Sequence, residues 1–274
     1  MSAREQTTAP TVTARQWRAV ALPAEHGSWS FWLEPVLLGA LVAVSVPGLW
    51  LALASFGVFL VHQPLKIYVI DRQRGRIYQR TRLAGRMVLI YGLGAVVALA
   101  LSILTAPSLA FLLPVLLVSP LAAAILYFDL RHDSRHALPE VFAAVTLTAV
   151  AASMALAGGW SLAPALALSA VLICRAVPTI IYVRARLRLE KGQTVQAAPA
   201  TLAHVLAILV IALLVWLRLA PVLSVIAVLV LLLRALYGLS RYRRPALPKQ
   251  IGIQEICFGL LVVLLTAAGY MMPL

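Results

Sequence analysis

The segment "PTIIYVRARLRLEKG", Pro178–Gly192, passes from an apolar stretch directly into four cations within eight residues. A second segment, "PLKIYVIDR", Pro64–Arg72, repeats its frame of proline, Ile-Tyr-Val and arginine. The copies are 114 residues apart, a spacing of four helices in the assignment below. This pattern predicts two four-helix units, and the site of a repeat-built membrane protein usually lies where its units meet. Chance similarity of two short apolar stretches is the alternative.

The composition indicates a membrane protein. Of the 274 residues, 62% are hydrophobic, and the mean hydropathy is +0.96, whereas a soluble domain is about 45–50% apolar. A membrane helix needs about 20 apolar residues to cross a hydrocarbon layer of about 30 Å. Nine such spans are predicted, at residues 28–45, 49–70, 84–104, 108–129, 139–157, 162–183, 200–219, 221–240 and 252–271.

The predicted fold is an all-α integral membrane domain. Residues 1–20 are polar and are expected to form a flexible tail, and residues 21–274 a single nine-helix domain. The first repeat covers residues 21–135, the second residues 136–245, and the ninth helix residues 252–271. Membrane lipids are the expected partners, and the oligomeric state stays open.

The formal net charge of +14 comes from cations concentrated in alternate loops. Loops rich in Lys and Arg stay on the cytoplasmic side of a membrane. The pattern therefore predicts a cytoplasmic N-terminus and an external C-terminus in a bacterial plasma membrane. Because topology accounts for the charge, nucleic acid is not an expected partner.

One face of the sixth predicted span carries a polar stripe. Its members, four, three and four residues apart, are Arg175, Thr179, Tyr182 and Arg186. Arg175 lies deep in the apolar run, where a cation requires a partner, a cavity or the interface. Two roles follow for Arg175: substrate binding, or a structural role, either as a snorkelling arginine or in an ion pair with Glu34 or Glu140.

Cations near the two copies of the frame predict a site for an anionic head group. Guanidinium groups bind phosphate oxygens in pairs, and the tyrosines of the frame would position the head. The predicted binding residues are Lys66, Tyr68, Arg72, Arg76, Arg175, Tyr182, Arg184, Arg186, Arg188 and Lys191. The alternative is an orientation signal that also attracts anionic lipids, by about 1 kcal/mol per cation.

Three further groups were weighed for chemistry. Glu25 and His26, before the first span, are candidates for acid–base roles, although a carboxylate there also favours the helix dipole. His62 is interpreted as a hydrogen-bonding residue in helix packing. The segment "DLRHDSRH", residues 129–136, has histidines at metal-ligand spacing, but this signal is weak in a short loop, and no metal site is predicted.

With these motifs in place, the chain resembles the bacterial YwiC-like membrane family. The likeness rests on "PAEHGSW", residues 23–29, on "RAVPTIIYVRARLRLEKG", residues 175–192, and on the nine-helix layout. This resemblance implies a family and no activity.

The layout is also similar, more distantly, to UbiA-type intramembrane prenyltransferases. That resemblance implies nine helices in a four-plus-four repeat with one extra, and two aspartate motifs that bind magnesium and a prenyl diphosphate. The matching places are residues 62–76 and 178–192, where Asp71 is the one aspartate and hence the third catalytic candidate. A magnesium clamp is therefore not expected, because the cation cluster repels the metal, and the cofactor stays open.

Together these patterns predict a prenyltransferase-like membrane protein with an arginine-rich site for a phosphorylated lipid or isoprenoid. It would be an enzyme or a degenerate enzyme. The alternatives are a transporter or flippase for an anionic amphiphile, and a lipid-binding subunit of a membrane complex.

Overall fold

The computed structural model describes residues 14–23, 26–131 and 137–272. Every element within these ranges is helical. The elements are α1 Ala14–Ala21, α2 His26–Val42, α3 Val46–Gln73, α4 Gln79–Thr105, a 3-10 segment Leu109–Leu112, α5 Leu113–Leu130, α6 Ala137–Ala157, α7 Leu162–Glu190, α8 Ala198–Trp216, α9 Val222–Leu239 and α10 Pro248–Met271. Helix α1 lies at the end of the predicted tail and packs against α3 and α4.

Eight of the described helices, α3 to α10, are long and apolar enough to cross a membrane. This confirms the prediction of a multi-pass all-α membrane protein. The first predicted span, residues 28–45, is instead the shorter helix α2, which has 17 residues. At 1.5 Å per residue α2 is about 25 Å long, less than a hydrocarbon layer of about 30 Å. The described chain thus has eight full spans and one short helix where nine full spans were predicted.

Helices α2 and α3 run antiparallel, and aromatic contacts show their register. The indole Nε1 of Trp32 donates to Ser55 Oγ at 3.1 Å, and the rings of Trp29 and Phe59 lie 5.3 Å apart. The start of α2 therefore lies beside the middle of α3. Beyond Phe59, α3 continues to Gln73, about 21 Å further at the helical rise. This unmatched part of α3 forms one wall of the cavity described below.

Helices α6 and α7 form the centre of the bundle. Helix α6 packs against α2, α3, α5 and α7, and α7 packs against α8, α9 and α10 as well. Small residues such as Ala151, Ala152 and Ala155 are fully buried on α6, and small side chains allow helix backbones to approach closely. Because α6 contacts both α3 and α7, it connects the two copies of the repeated frame.

The repeated frame falls inside two long helices and not at helix ends. The predicted spans ended at residues 70 and 183, whereas α3 and α7 run to Gln73 and Glu190. Both helices end just before a glycine with a positive φ, 66° at Gly75 and 74° at Gly192, a conformation that terminates helices. The cations after the second copy of the frame therefore project from helical turns.

Candidate functional site

The polar stripe of α7 is buried in the bundle. Arg175, Thr179, Tyr182 and Arg186 are only 1%, 2%, 4% and 5% exposed. Their common orientation confirms the helical spacing found in the sequence. Each of the four contacts a partner from a neighbouring helix, as follows.

Arg175 forms an ion pair with Glu34 of α2, with Nη2 2.7 Å from Oε1. The same nitrogen donates to the backbone oxygen of Glu255 on α10 at 3.0 Å. Glu34 also accepts a hydrogen bond of 2.5 Å from Ser30 Oγ. The structural ion pair, one of the two roles predicted for Arg175, is therefore present.

Arg234 of α9 is a second buried cation, which the sequence analysis did not single out. It pairs with Glu255, donates to Thr179 Oγ1 at 3.3 Å, and lies 4.1 Å from the ring centre of Tyr182. It also lies 3.3 Å from His204 Nε2. Since His204 Nδ1 is 2.7 Å from the carbonyl oxygen of Ala200, Nδ1 carries the proton and Nε2 accepts from Arg234. An arginine within a predicted span was the signal, as for Arg175.

The remaining cations of α7 divide into bound and exposed groups. Arg186 donates to the backbone oxygens of Gly238 and Arg244 and pairs with Glu190 at 2.9 Å. Arg184 pairs with Glu140 of α6 at 2.8 Å. Arg188 and Lys191 are exposed near the end of the helix.

The predicted cations in and after α3 have partners on α5, on α3 itself and in the turn before α4. Asp129 of α5 accepts from Lys66 Nζ at 2.5 Å and from His62 Nε2 at 2.8 Å. Arg72 lies 5.2 Å from the ring centre of Tyr68, and Arg76 Nη1 donates to Tyr78 Oη at 3.3 Å. The partners of the α7 cations come from α2, α6, α9, α10, the loop after α9 and α7 itself. The described contacts therefore join the two predicted sets of cations to different neighbours.

Asp71 joins α3 to α4. Its carboxylate accepts from Arg80 Nη2 at 2.7 Å, from Arg80 Nε at 3.0 Å and from Thr81 Oγ1 at 2.6 Å. Its side chain is 2% exposed. A carboxylate with three donors is an anchor for the turn between the helices, and its role in catalysis stays a prediction.

A cavity of about 740 Å³ lies between α3, α5 and α6. Most of its wall is apolar, and its charged lining residues are Lys66, Asp71 and Arg80, beside His62. The hydroxyl of Thr146, also in the wall, is buried without a hydrogen-bond partner among the described residues. A smaller cavity of about 150 Å³ adjoins it and is lined by His62, Lys66 and Asp129. The large cavity therefore combines a mostly apolar wall with a few charged side chains.

Of the comparisons with known proteins, one found a match, and it lies in the first half of the chain. Residues 22–155 match the family model described as YwiC-like protein. The chain is YwiC-like over these residues. Curated proteins and solved structures gave no match. The YwiC-like segment contains the three helices that surround the large cavity, α3, α5 and most of α6.

Two predicted catalytic residues of the YwiC-like segment, Glu25 and His26, lie wholly or partly outside the described residues. Glu25 lies outside the described residues, and His26 begins α2, but its side chain is outside them as well. Residues 132–136 of the "DLRHDSRH" segment are also outside them. Within the described ranges, no group of three His, Cys, Asp or Glu side chains could hold a metal ion.

Proposed function

We propose that this YwiC-like membrane protein binds an amphiphile with a phosphorylated head in the cavity between α3, α5 and α6. The observation that supports this most is the pairing of an apolar space of about 740 Å³ with the cations Lys66 and Arg80 at its polar part. We also propose that the protein lies in the bacterial plasma membrane with its N-terminus in the cytoplasm.

The size of the cavity supports a lipid chain as one part of the ligand. Small-molecule sites enclose about 300–1,000 Å³ and are mostly apolar. Val58, Phe59, Ile125 and Leu147 are among the side chains of the wall. Burying a prenyl or acyl chain there contributes about 0.8 kcal/mol for each methylene.

The charge around the end of α3 supports an anionic head. Lys66 and Arg80 are each paired with an aspartate, so they attract an anion less than unpaired cations would. Further positive charge comes from exposed arginines in and beside the following turn, Arg72, Arg76 and Arg82. Guanidinium groups in this number favour a phosphate or diphosphate without a metal ion.

The predicted α7 residues enter the proposal in two ways. Arg184, Arg188 and Lys191 stay a predicted second set of head-group cations. Arg175, Tyr182 and Arg186 have buried protein partners, and we assign them to support of the bundle. Transferase chemistry on the bound amphiphile remains the predicted activity.

A transporter or flippase is the second candidate. It is favoured by the two buried ion pairs, Glu34–Arg175 and Glu255–Arg234, in the interior of the bundle. Charged residues inside a membrane bundle often mark ion or proton pathways. Exchange of a fluorescent lipid phosphate between leaflets of reconstituted vesicles would support this candidate, and its loss in Arg234→Gln would link the activity to the pairs.

The binding proposal is tested by native mass spectrometry of gently extracted protein, with identification of the lipids that co-purify. Ala122→Phe should fill the cavity, because Ala122 lines it. Ala123→Phe is the matched control, because Ala123 is exposed on the same helix. Loss of a bound lipid phosphate in Ala122→Phe alone supports the proposal. Retention of the same lipid in both variants, or bulk phospholipid only in the wild type, contradicts it.

A further inference from the structure

Within the described chain, His62 and Lys66 both line the two cavities and hydrogen-bond to the buried carboxylate of Asp129, and His62 is the one of the two that can accept as well as donate. Its side chain is 46% exposed and lines the large and the small cavity. Nε2 lies 2.8 Å from Asp129 Oδ2, and the Asp129 side chain is 8% exposed. From the sequence, His62 is expected to be a hydrogen-bonding residue in helix packing.

The hydrogen bonds determine which ring nitrogen of His62 carries the proton. Both oxygens of Asp129 are used, because Oδ1 accepts from Lys66 at 2.5 Å. A carboxylate held by an ammonium group stays ionised and only accepts. His62 Nε2 therefore carries the hydrogen, and in the neutral ring Nδ1 keeps the lone pair. No group of the described chain hydrogen-bonds to Nδ1.

We propose that His62 takes up a proton when a phosphorylated amphiphile binds, and that Nδ1–H then donates to a phosphate oxygen while Nε2–H stays on Asp129. This inference rests on the proposed function, and it adds the contact that senses the phosphate. Histidine is the side chain that gains or loses a proton near neutral pH. A phosphomonoester loses its second proton near pH 6, so at about pH 7.5 it is mainly a dianion that favours an imidazolium.

The other charged groups described around His62 form ion pairs or are exposed. Lys66 is paired with Asp129, and Arg80 is paired with Asp71. Helix α6 contributes uncharged residues to the cavity, Ala143, Thr146 and Leu147. The one described cation of α1, Arg18, is exposed. Because these ion pairs are neutral overall, a proton on His62 adds a positive charge that can bind the phosphate.

The test measures protons bound with the ligand. Full-length protein in detergent is titrated calorimetrically with farnesyl phosphate at about pH 7.5, in two buffers of different ionisation enthalpy. The wild type should take up close to one proton per ligand. His62→Gln keeps an amide near the Nε2 position for Asp129 and cannot be protonated. It should bind without proton uptake, about tenfold more weakly, and without pH dependence.

The possible results of this titration have different consequences for the two proposals. Binding of farnesyl phosphate without proton uptake, or equal uptake by His62→Gln, overturns the role of His62 and leaves the binding proposal intact. No binding by the wild type overturns the proposed function and this inference with it. Farnesol and inorganic phosphate serve as the two ligand controls. If inorganic phosphate binds as tightly as farnesyl phosphate and with equal uptake, the His62 contact is supported, but the lipid chain is not part of the recognised ligand and the amphiphile is overturned.

Discussion

Single residues show how this protein keeps charge inside a membrane bundle. Glu34 and Arg175 are both almost fully buried and form an ion pair. Ser30 donates to Glu34, and Arg175 donates to a backbone oxygen of α10. The predicted alternative of an ion pair was correct, because an isolated cation at this depth would be costly. The neighbouring pair of Arg234 and Glu255 follows the same rule.

Removing one member of the Glu34–Arg175 pair should destabilise the fold. We expect Arg175→Ala to lower the free energy of unfolding by about 3–5 kcal/mol, because it leaves a buried carboxylate unpaired. Arg188→Ala removes the same charge from an exposed site on the same helix and should change it by less than about 1 kcal/mol. SDS-induced unfolding in mixed micelles measures both. Equal values would show that the pair contributes no special stability.

Gly259 allows the pair to approach α10. A Cβ atom at this position would lie against Glu34 Oε1 and Arg175 Nη2. Gly259→Ala should therefore destabilise the bundle, although alanine favours helix by about 1 kcal/mol. Gly252→Ala on the same helix has open space around its Cβ and should be neutral or stabilising. If the two variants unfold at the same SDS concentration, the packing described here is wrong.

At the scale of elements, the end of α3 is held by a side-chain anchor. Asp71 receives three hydrogen bonds from the first turn of α4, so it fixes the turn of residues 74–78. The same turn carries the exposed arginines that we propose for the head group. Its order therefore bears on binding.

Asp71→Asn should loosen this turn without unfolding the bundle. An amide accepts through one oxygen and loses the ion pair with Arg80, so amide hydrogen exchange at residues 74–78 should rise about tenfold or more. Arg76→Ala, a substitution of an exposed residue within the turn, is the control and should leave the rates near wild type. Unchanged exchange in Asp71→Asn would remove the anchoring role and strengthen the predicted catalytic one.

At the scale of the whole molecule, antiparallel helices place the arginine-rich turns together on one side. The turns after α3, α7 and α9 contain most of the loop arginines, and the turn before α7 contains "GGWS", residues 158–161. The excess of Lys and Arg predicts that this side faces the cytoplasm.

Labelling of single cysteines checks this orientation. In a variant without Cys174 and Cys257, Ser161→Cys should react with an impermeant maleimide added to intact cells. Ser240→Cys, in the turn after α9, should react only after permeabilisation. The opposite pattern would place the arginine-rich turns outside and contradict the predicted topology.

The sequence by itself determined the class of the protein, most of its helices and the buried face of α7, because hydropathy and helical spacing are properties of neighbouring residues. It also predicted that Arg175 needs a partner. Only the tertiary structure decided that α2 ends short, that Asp129 of α5 reaches His62, and that the cations of α3 and α7 have different partners. Such pairings join residues far apart in the chain, and they depend on how helices pack, which no local pattern records.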